Sequence, residues 1–341
     1  MKFRSEAEGG KLKPANFEQE YTPQQLIELA RCMSDPIHFI ETYCMVIHPS
    51  RGRIPFKLYD YQKRMIYGYE DCNRIITMAP RQTGKSTVAA EYLLWNACFK
   101  PDQHILIASN LQRGSTEIMT RMRFMYEELP WFLKPGYIVM NVNSMKFDNN
   151  SLLEGVATTE NTGRGLSVTA LYLDEFSKVR PTIQQGFYAS TLPTLSTGGR
   201  LIITSTPGTD EDRFATIWFS AQDYDRAYAW SDEAAGKIGA KPIVDTYETV
   251  FEEGAPEIEG ITAPILNVEG AADYGFKRMF VHWKEHPDRD ENYKRRIMAE
   301  GFTDAQWLCE YECLGGLNAV TIRDNGVIKR ITLAQLEKMM S

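Results

Sequence analysis

The chain has 341 residues, with 38 Lys and Arg against 45 Asp and Glu, for a formal net charge of −7. Hydrophobic residues make up 43% and charged residues 24%, which excludes a chain disordered throughout, a collagen and a coiled coil. At ~150 residues per domain the length fits two domains, or one large domain with attachments.

No apolar run reaches the ~18 residues that span a bilayer, and MKFRSEAEGGKLK lacks the apolar centre of a signal peptide. Six cysteines without a CxxC pair predict a reducing compartment rather than a disulfide framework. The acidic balance disfavours a basic DNA-coating protein but leaves room for a local basic patch.

In chain order, polar residues 1–22 predict a flexible lead-in. TPQQLIELARCM then reads as a capped helix, Thr22 before Pro23. The apolar stretch PIHFIETYCMVIH is followed by PSRGRIPF, a loop by its Pro and Gly content. YDYQKRMIYGYE predicts an amphipathic helix and RIITMAP a buried strand. STVAAEYLLWNACF predicts a helix, HILIAS a strand, and EIMTRMRFMYEEL a further helix. ALYLDE and RLIITSTP supply two more short apolar strands. Such alternation predicts an α/β fold, a mostly parallel sheet flanked by helices. The core is expected over 23–240. An acidic excursion and end region follow over 241–312, where Asp245 to Asp273 contains eight carboxylates and no Lys or Arg.

RIITM leads through Ala79-Pro80-Arg81-Gln82-Thr83-Gly84-Lys85-Ser86 directly into a helix. This is the P-loop pattern G-x-x-x-x-G-K-[ST], with Ala79 in place of the first glycine. Backbone N–H groups of a tight loop wrap phosphates, Gly84 permits close approach, and the following helix N-terminus favours the same anion. Lys85 offers a point charge to the β- and γ-phosphates, Ser86 a hydroxyl to Mg²⁺, and Thr87 extends the phosphate-binding run. Downstream, Ala170-Leu171-Tyr172-Leu173-Asp174-Glu175 ends a buried strand in two carboxylates. Paired with a P-loop, Asp174 is a Mg²⁺ holder and Glu175 the group that orients and polarises the attacking water. Alone, the pair would read as an ordinary solvated strand end. Arg81, in the loop itself, is a candidate to stabilise the transferred phosphoryl in cis. Arg164 is a second candidate, as a sensor or toward a neighbouring subunit, and stands even with a surface ion pair.

These residues resemble the ATPase of phage terminase large subunits, a P-loop NTPase of RecA/ASCE type. IPFKLYDYQKRM is similar to that family's adenine-recognition segment, which implies that Gln62 reads the base with Tyr61 beside it. APRQTGKS resembles its loop variant, in which Ala79 is usual. GVATTENTGRGLSVTALYLDEF places Arg164 at a matching position, and LIITSTPGT resembles its coupling motif, with Thr204, Ser205 and Thr206 at the strand end. FVHWKEHPDRDENY and IMAEGFTDAQWLCEYE resemble the end of the ATPase region. The resemblance runs from about Thr22 to Glu312. It implies Mg-ATP hydrolysis driving double-stranded DNA into a procapsid. It also implies a homo-oligomeric ring, a portal protein and a small terminase subunit as partners, no membrane, and a place in the host-cell cytoplasm.

A nuclease domain is expected to be absent, since 29 residues follow Glu312. Residues 313–341 instead resemble the opening block of a split intein: Cys313, two strands about Asn325-Gly326, which suits a type I′ turn, then a helix LAQLEKMM. That implies attack of the Cys313 thiol on the Glu312 carbonyl and a complementary intein C-terminal fragment. A truncated linker is the bland alternative. For the whole chain, the competing readings are a helicase-type P-loop ATPase, a non-hydrolytic scaffold or splicing precursor, and, least favoured, a small-molecule kinase.

Overall fold

A computed structural model of the chain describes residues 11–160, 162–195, 198–208, 212–224, 275–312, 319–324 and 327–332. Helices α1 (Pro23–Ser34) and α2 (Pro36–Tyr43) open the fold. Thr22 caps α1 in a capping box with Gln25, as the Thr-Pro signal predicts. Strands β1 (Met45–His48) and β2 (Gly52–Pro55) form an antiparallel ribbon. PSRGRIPF is therefore not wholly a loop. A two-stranded ribbon consists of edges, and an edge tolerates a terminal proline such as Pro55.

Next come α3 (Asp60–Asp71), β3 (Arg74–Met78), α4 (Lys85–Phe99), β4 (His104–Ser109) and α5 (Gln112–Glu128). Three further strands follow, β5 (Tyr137–Met140), β6 (Ser144–Phe147) and β7 (Leu152–Ala157), and then β8 (Ala170–Asp174), α6 (Pro181–Thr191), β9 (Arg200–Ser205) and α7 (Arg213–Ser220). After β10 (Gln222–Asp223), the described chain resumes with β11 (Lys277–Phe280), α8 (Glu291–Ala299) and α9 (Asp304–Glu310). It ends in β12 (Ala319–Asp324) and β13 (Val327–Thr332).

Nine strands form one sheet in the order β10-β11-β3-β9-β8-β4-β7-β6-β5. Neighbours from β10 to β7 run parallel, while β6 runs antiparallel to β7 and β5. The parallel sheet expected from the apolar strands is thus present, with an antiparallel edge that the sequence reading did not anticipate. Successive strand residues enter opposite layers, as they must where the side-chain period is two. Ile75, Ile105, Ile107, Tyr172 and Ile202 pack with α1–α5 on one face, and Ile76, Leu106, Leu171, Leu173 and Ile203 with α6 and α7 on the other. α4 is buried along nearly its whole length, with Trp95 donating to Cys32 O at 2.7 Å to tie it to α1.

The lead-in is not loose throughout. Lys13 is 5% exposed, its carbonyl accepts from Tyr137 N at 2.8 Å, and Pro14 bridges to Tyr137 on the sheet edge. Beyond the main sheet, Trp283, Trp307 and Tyr311 form a small aromatic core with Tyr293 and Phe302. β11, from the region 241–312 expected to hold the acidic excursion and the end of the ATPase region or a subdomain, lies inside the main sheet beside β3. The acidic run Asp245–Asp273, the boundary at 240, Cys313 and the LAQLEKMM segment lie outside the described residues. β12 and β13 do pair antiparallel, Asp324 opposite Val327, while the expected turn at Asn325-Gly326 lies outside the described residues. No described helix is long and apolar enough to cross a membrane.

Candidate nucleotide site

β3 ends at Met78, and Ala79 continues its line by donating its N–H to Ser205 O at the end of β9, at 3.0 Å. Ala79 is fully buried, and its φ is not positive. A methyl group is therefore tolerated where a strict P-loop has glycine. The conformational demand falls later, on Gln82 (φ 57°) and Gly84 (φ 78°), both left-handed. Glycine meets that demand at position 84, where a Cβ would approach Gln62 Nε2 to 2.7 Å. α4 starts at Lys85 with Gly84 as its N-cap. Among the described residues, the N–H groups of residues 82–86 have no acceptor within the chain. Five adjacent donors at a helix start form a concave anion site.

The predicted carboxylates converge on this loop. Asp174 ends β8, and the register pairs it with Thr204 on β9. It is 8% exposed, and its Oδ1 accepts from Ser86 Oγ at 2.8 Å, Tyr172 OH at 2.8 Å and Thr204 Oγ1 at 3.3 Å. Burial pushes its carboxyl up, the neighbouring Glu175 adds to this, and Lys85 and the hydroxyls oppose it. Glu175 takes the left-handed conformation (φ 51°, ψ 45°), which costs a non-glycine residue about 1 kcal/mol or more. That turn splits its two oxygens between two partners. Oε1 lies 2.6 Å from Lys85 Nζ, while Oε2 accepts from Ser205 Oγ and Thr206 N at 3.3 Å and Thr206 Oγ1 at 3.5 Å. Burial raises the Glu175 carboxyl, but the Lys85 ammonium outweighs it and the net shift is downward, so the group is ionised.

The remaining predicted residues are placed less uniformly. Tyr61 OH and Gln62 Nε2 both donate to Thr83 O, each at 2.9 Å, and Gln62 Oε1 accepts from Tyr59 N at 3.0 Å. With Gln62 2% exposed and both ends of its amide on backbone, it braces the loop in this structure. Thr83 Oγ1 donates to Pro80 O at 2.9 Å, and Thr87 Oγ1 accepts from Arg121 on α5 at 3.0 Å. Arg81 turns away from the loop into a two-pronged pair with Glu310, Nε to Oε2 at 2.6 Å and Nη2 to Oε1 at 3.0 Å. Arg164 is exposed on the loop between β7 and β8, with no ion pair among the described residues.

Sequence reasoning missed Tyr172, Glu310 and Arg289. Arg289 Nη2 donates to Arg81 O at 2.9 Å and Gln82 O at 2.8 Å. Tyr172 had a legible signal, since it shares a strand face with Asp174 two residues on. Arg289 lies in Asp-Arg-Asp, which reads as a solvated charge run.

Over residues 76–301, about two thirds of the chain, the sequence matches the family described as terminase large subunit, T4-like-virus type, N-terminal. Among solved structures, the large terminase ATPase domain of Thermus phage P74-26 aligns with a TM-score of 0.51 at 18% identity, covering 76% of this chain and 94% of that one. The large terminase of bacteriophage HK97 gives 0.48 at 19% identity, over 64% of this chain and 49% of that one. That of the thermophilic bacteriophage D6E gives 0.49 at 12% identity, over 79% and 56%. This chain thus spans about half the length of those two large terminases. The P74-26 likeness shows a terminase ATPase-domain fold, and the sequence match shows the family. The chain belongs to the phage terminase large subunits of the T4-like type, whose N-terminal region it carries.

Proposed function

We propose that this chain hydrolyses Mg-ATP in the loop at residues 79–86 and uses the event to drive double-stranded DNA into a procapsid. The observation that carries the reading is the division of Glu175 between Lys85 and the end of β9. A γ-phosphate in the bowl would compete for the Lys85 ammonium. Glu175 Oε1 would then be released to accept a proton from the attacking water, while Oε2 stays hinged on Ser205 and Thr206. A positioned general base contributes ~10²–10⁴ in rate. Departure of the phosphate returns Lys85 to Glu175, and the same carboxylate transmits that exchange to β9. From there Ser205 Oγ donates to Ser177 Oγ at 2.8 Å, and Ser177 Oγ donates to Thr206 O at 2.7 Å, so the end of β9 is clasped to the turn that follows Glu175, an element a motor can use.

Mg²⁺ fits the donors present, a buried carboxylate and a hydroxyl 2.8 Å apart, both hard oxygen ligands. Ser86 and Asp174 would hold it, and when bound it supplies charge neutralisation on the phosphate oxygens. Arg81 is the cis candidate for the transferred phosphoryl once it leaves Glu310, and Arg164 the candidate toward a neighbouring subunit of a ring. Portal protein and small subunit as partners, and the host-cell cytoplasm as the place of action, belong to the same reading. The antiparallel β12–β13 pair supports an intein-like tail with Cys313 as nucleophile. Incubation with a complementary intein fragment, read by mass, should then release residues 1–312 joined to the partner's extein.

The deciding experiment is steady-state ATP hydrolysis with Lys85→Ala and Glu175→Gln. Both should fall at least about a hundredfold, and full turnover in either variant removes that residue from its role.

A further inference from the structure

A phosphate loop binds anions with its N–H groups, and an N–H points into the bowl only when the carbonyl of the same peptide unit points out. Three successive carbonyls of this loop are held on the outside. Arg81 O and Gln82 O both accept from Nη2 of Arg289, at 2.9 and 2.8 Å, and Thr83 O accepts from Tyr61 and Gln62. The N–H groups of those three peptide units belong to Gln82, Thr83 and Gly84, all without an acceptor among the described residues. Gln82 is the non-glycine residue of this stretch held at positive φ, so its peptides need an external hold to stay turned.

Arg289 is built for that hold. It is 3% exposed, and its guanidinium lies over the rings of Tyr293 and Tyr311, 5.2 and 5.7 Å from their centroids. Two rings at cation–π distance confine the planar fork in a way a flexible ammonium cannot match. Its nearest partners are carbonyl dipoles rather than a carboxylate. No ion pair involves Arg289 among the described residues, and its buried Nη1 has no hydrogen-bond partner there. A buried guanidinium with no ion pair among the described residues therefore stands behind the bowl that would receive the phosphates.

We propose that Arg289 is a positioning residue that holds the phosphate loop with its amides turned inward and adds a buried positive charge behind them, so that it sets nucleotide affinity rather than the rate of the chemical step. This rests on the nucleotide reading above. The test is equilibrium binding of Mg-ATP and steady-state hydrolysis for wild type, R289K and R289M at several salt concentrations. R289M should weaken binding about a hundredfold and R289K about tenfold, because lysine restores the charge and one donor but not the fixed fork. kcat at saturation should stay within about threefold in both, and the salt dependence of binding should flatten in R289M but not in R289K. A purely structural role would move none of these selectively. Wild-type affinity in an R289K protein that melts like wild type overturns the proposal, and so does a loss confined to kcat. Wild-type protein that binds no ATP overturns the nucleotide reading itself, and this proposal with it.

Discussion

Glu91 sits in the middle of α4 with no exposure to solvent, and neither of its carboxylate oxygens has a hydrogen-bond partner among the described residues. Burial alone drives its carboxyl well above the usual range, so it is protonated and neutral where ordinary glutamates are charged. An unpaired buried polar group costs ~1–3 kcal/mol on protein mutational scales. Glu91→Met keeps the shape and removes the group, and should stabilise by about that amount. With an unfolding entropy of ~2.1 cal/mol/K per residue, a chain of this size should melt about 1–4 °C higher.

Glu91→Gln tests the charge separately. Above the ordinary carboxylate value of 4.5 and below the raised folded value, the folded state holds a proton that the unfolded state has lost. Wild-type stability should therefore fall as pH rises through that window, by up to ~1.4 kcal/mol per unit, whereas the glutamine variant lacks that slope. Thermal melts at pH 5.5, 6.5 and 7.5 decide the matter. A wild-type-minus-variant difference that does not change with pH, or a lower melting point for Glu91→Met, would refute the neutral, unpaired carboxyl.

Ser205→Ala and Thr206→Val remove the hydroxyls that hold Glu175 Oε2, so kcat should drop about tenfold with KM within twofold; unchanged kcat in steady-state assays would show that β9 does not position the base. Glu310→Gln weakens the grip on Arg81, whose side chain is 56% exposed, so stability should change by less than ~1 kcal/mol while kcat rises; a kcat equal to that of Arg81→Ala would mean that the pair serves only the fold. His282 is pushed down to about 4, by burial first, and its Nδ1 accepts from Lys284 N at 3.2 Å. Its folded value lies below the unfolded 6.5, so stability is present above 6.5 and is lost as pH falls toward 4. Denaturant midpoints at pH 7 and 5 should diverge in wild type and converge in His282→Asn.

The strands legible in the sequence were those whose burial is continuous. RIITM, HILIAS, ALYLD and RLIITS are apolar on both faces because helices cover both sides of the sheet. β5 to β7 were not read because none of YIVM, SMKF and LLEGVA is a continuously buried apolar run: β6 and β7 alternate between half-buried and buried positions, and β5 is half-buried to exposed. β2 carries the residues of a loop and forms only because β1 lies opposite. The P-loop, the acidic pair and the coupling strand were legible because each is local, a loop or strand end whose chemistry lies within a few residues.

The rest of the site was illegible for a reason inherent in loops of this kind. A phosphate-binding motif specifies donors: the flexible Gly84, the Lys85 charge, the Ser86 hydroxyl. It does not specify what turns the peptides, because that work is done on the carbonyl side, by groups the ligand never meets. Here those groups come from α3, just upstream, and from Arg289, 207 residues from Gln82. Gln62 shows the consequence. Its residue type and position fit a base reader, yet its amide spans Thr83 O and Tyr59 N. A glutamine that must cap a helix and brace a loop at once has little freedom left for a ligand. A variant at Gln62 should thus disturb phosphate affinity as much as base preference, which comparison of ATP and GTP binding by Gln62→Ala would reveal: a loss equal for both nucleotides follows from bracing, a loss confined to ATP from base recognition.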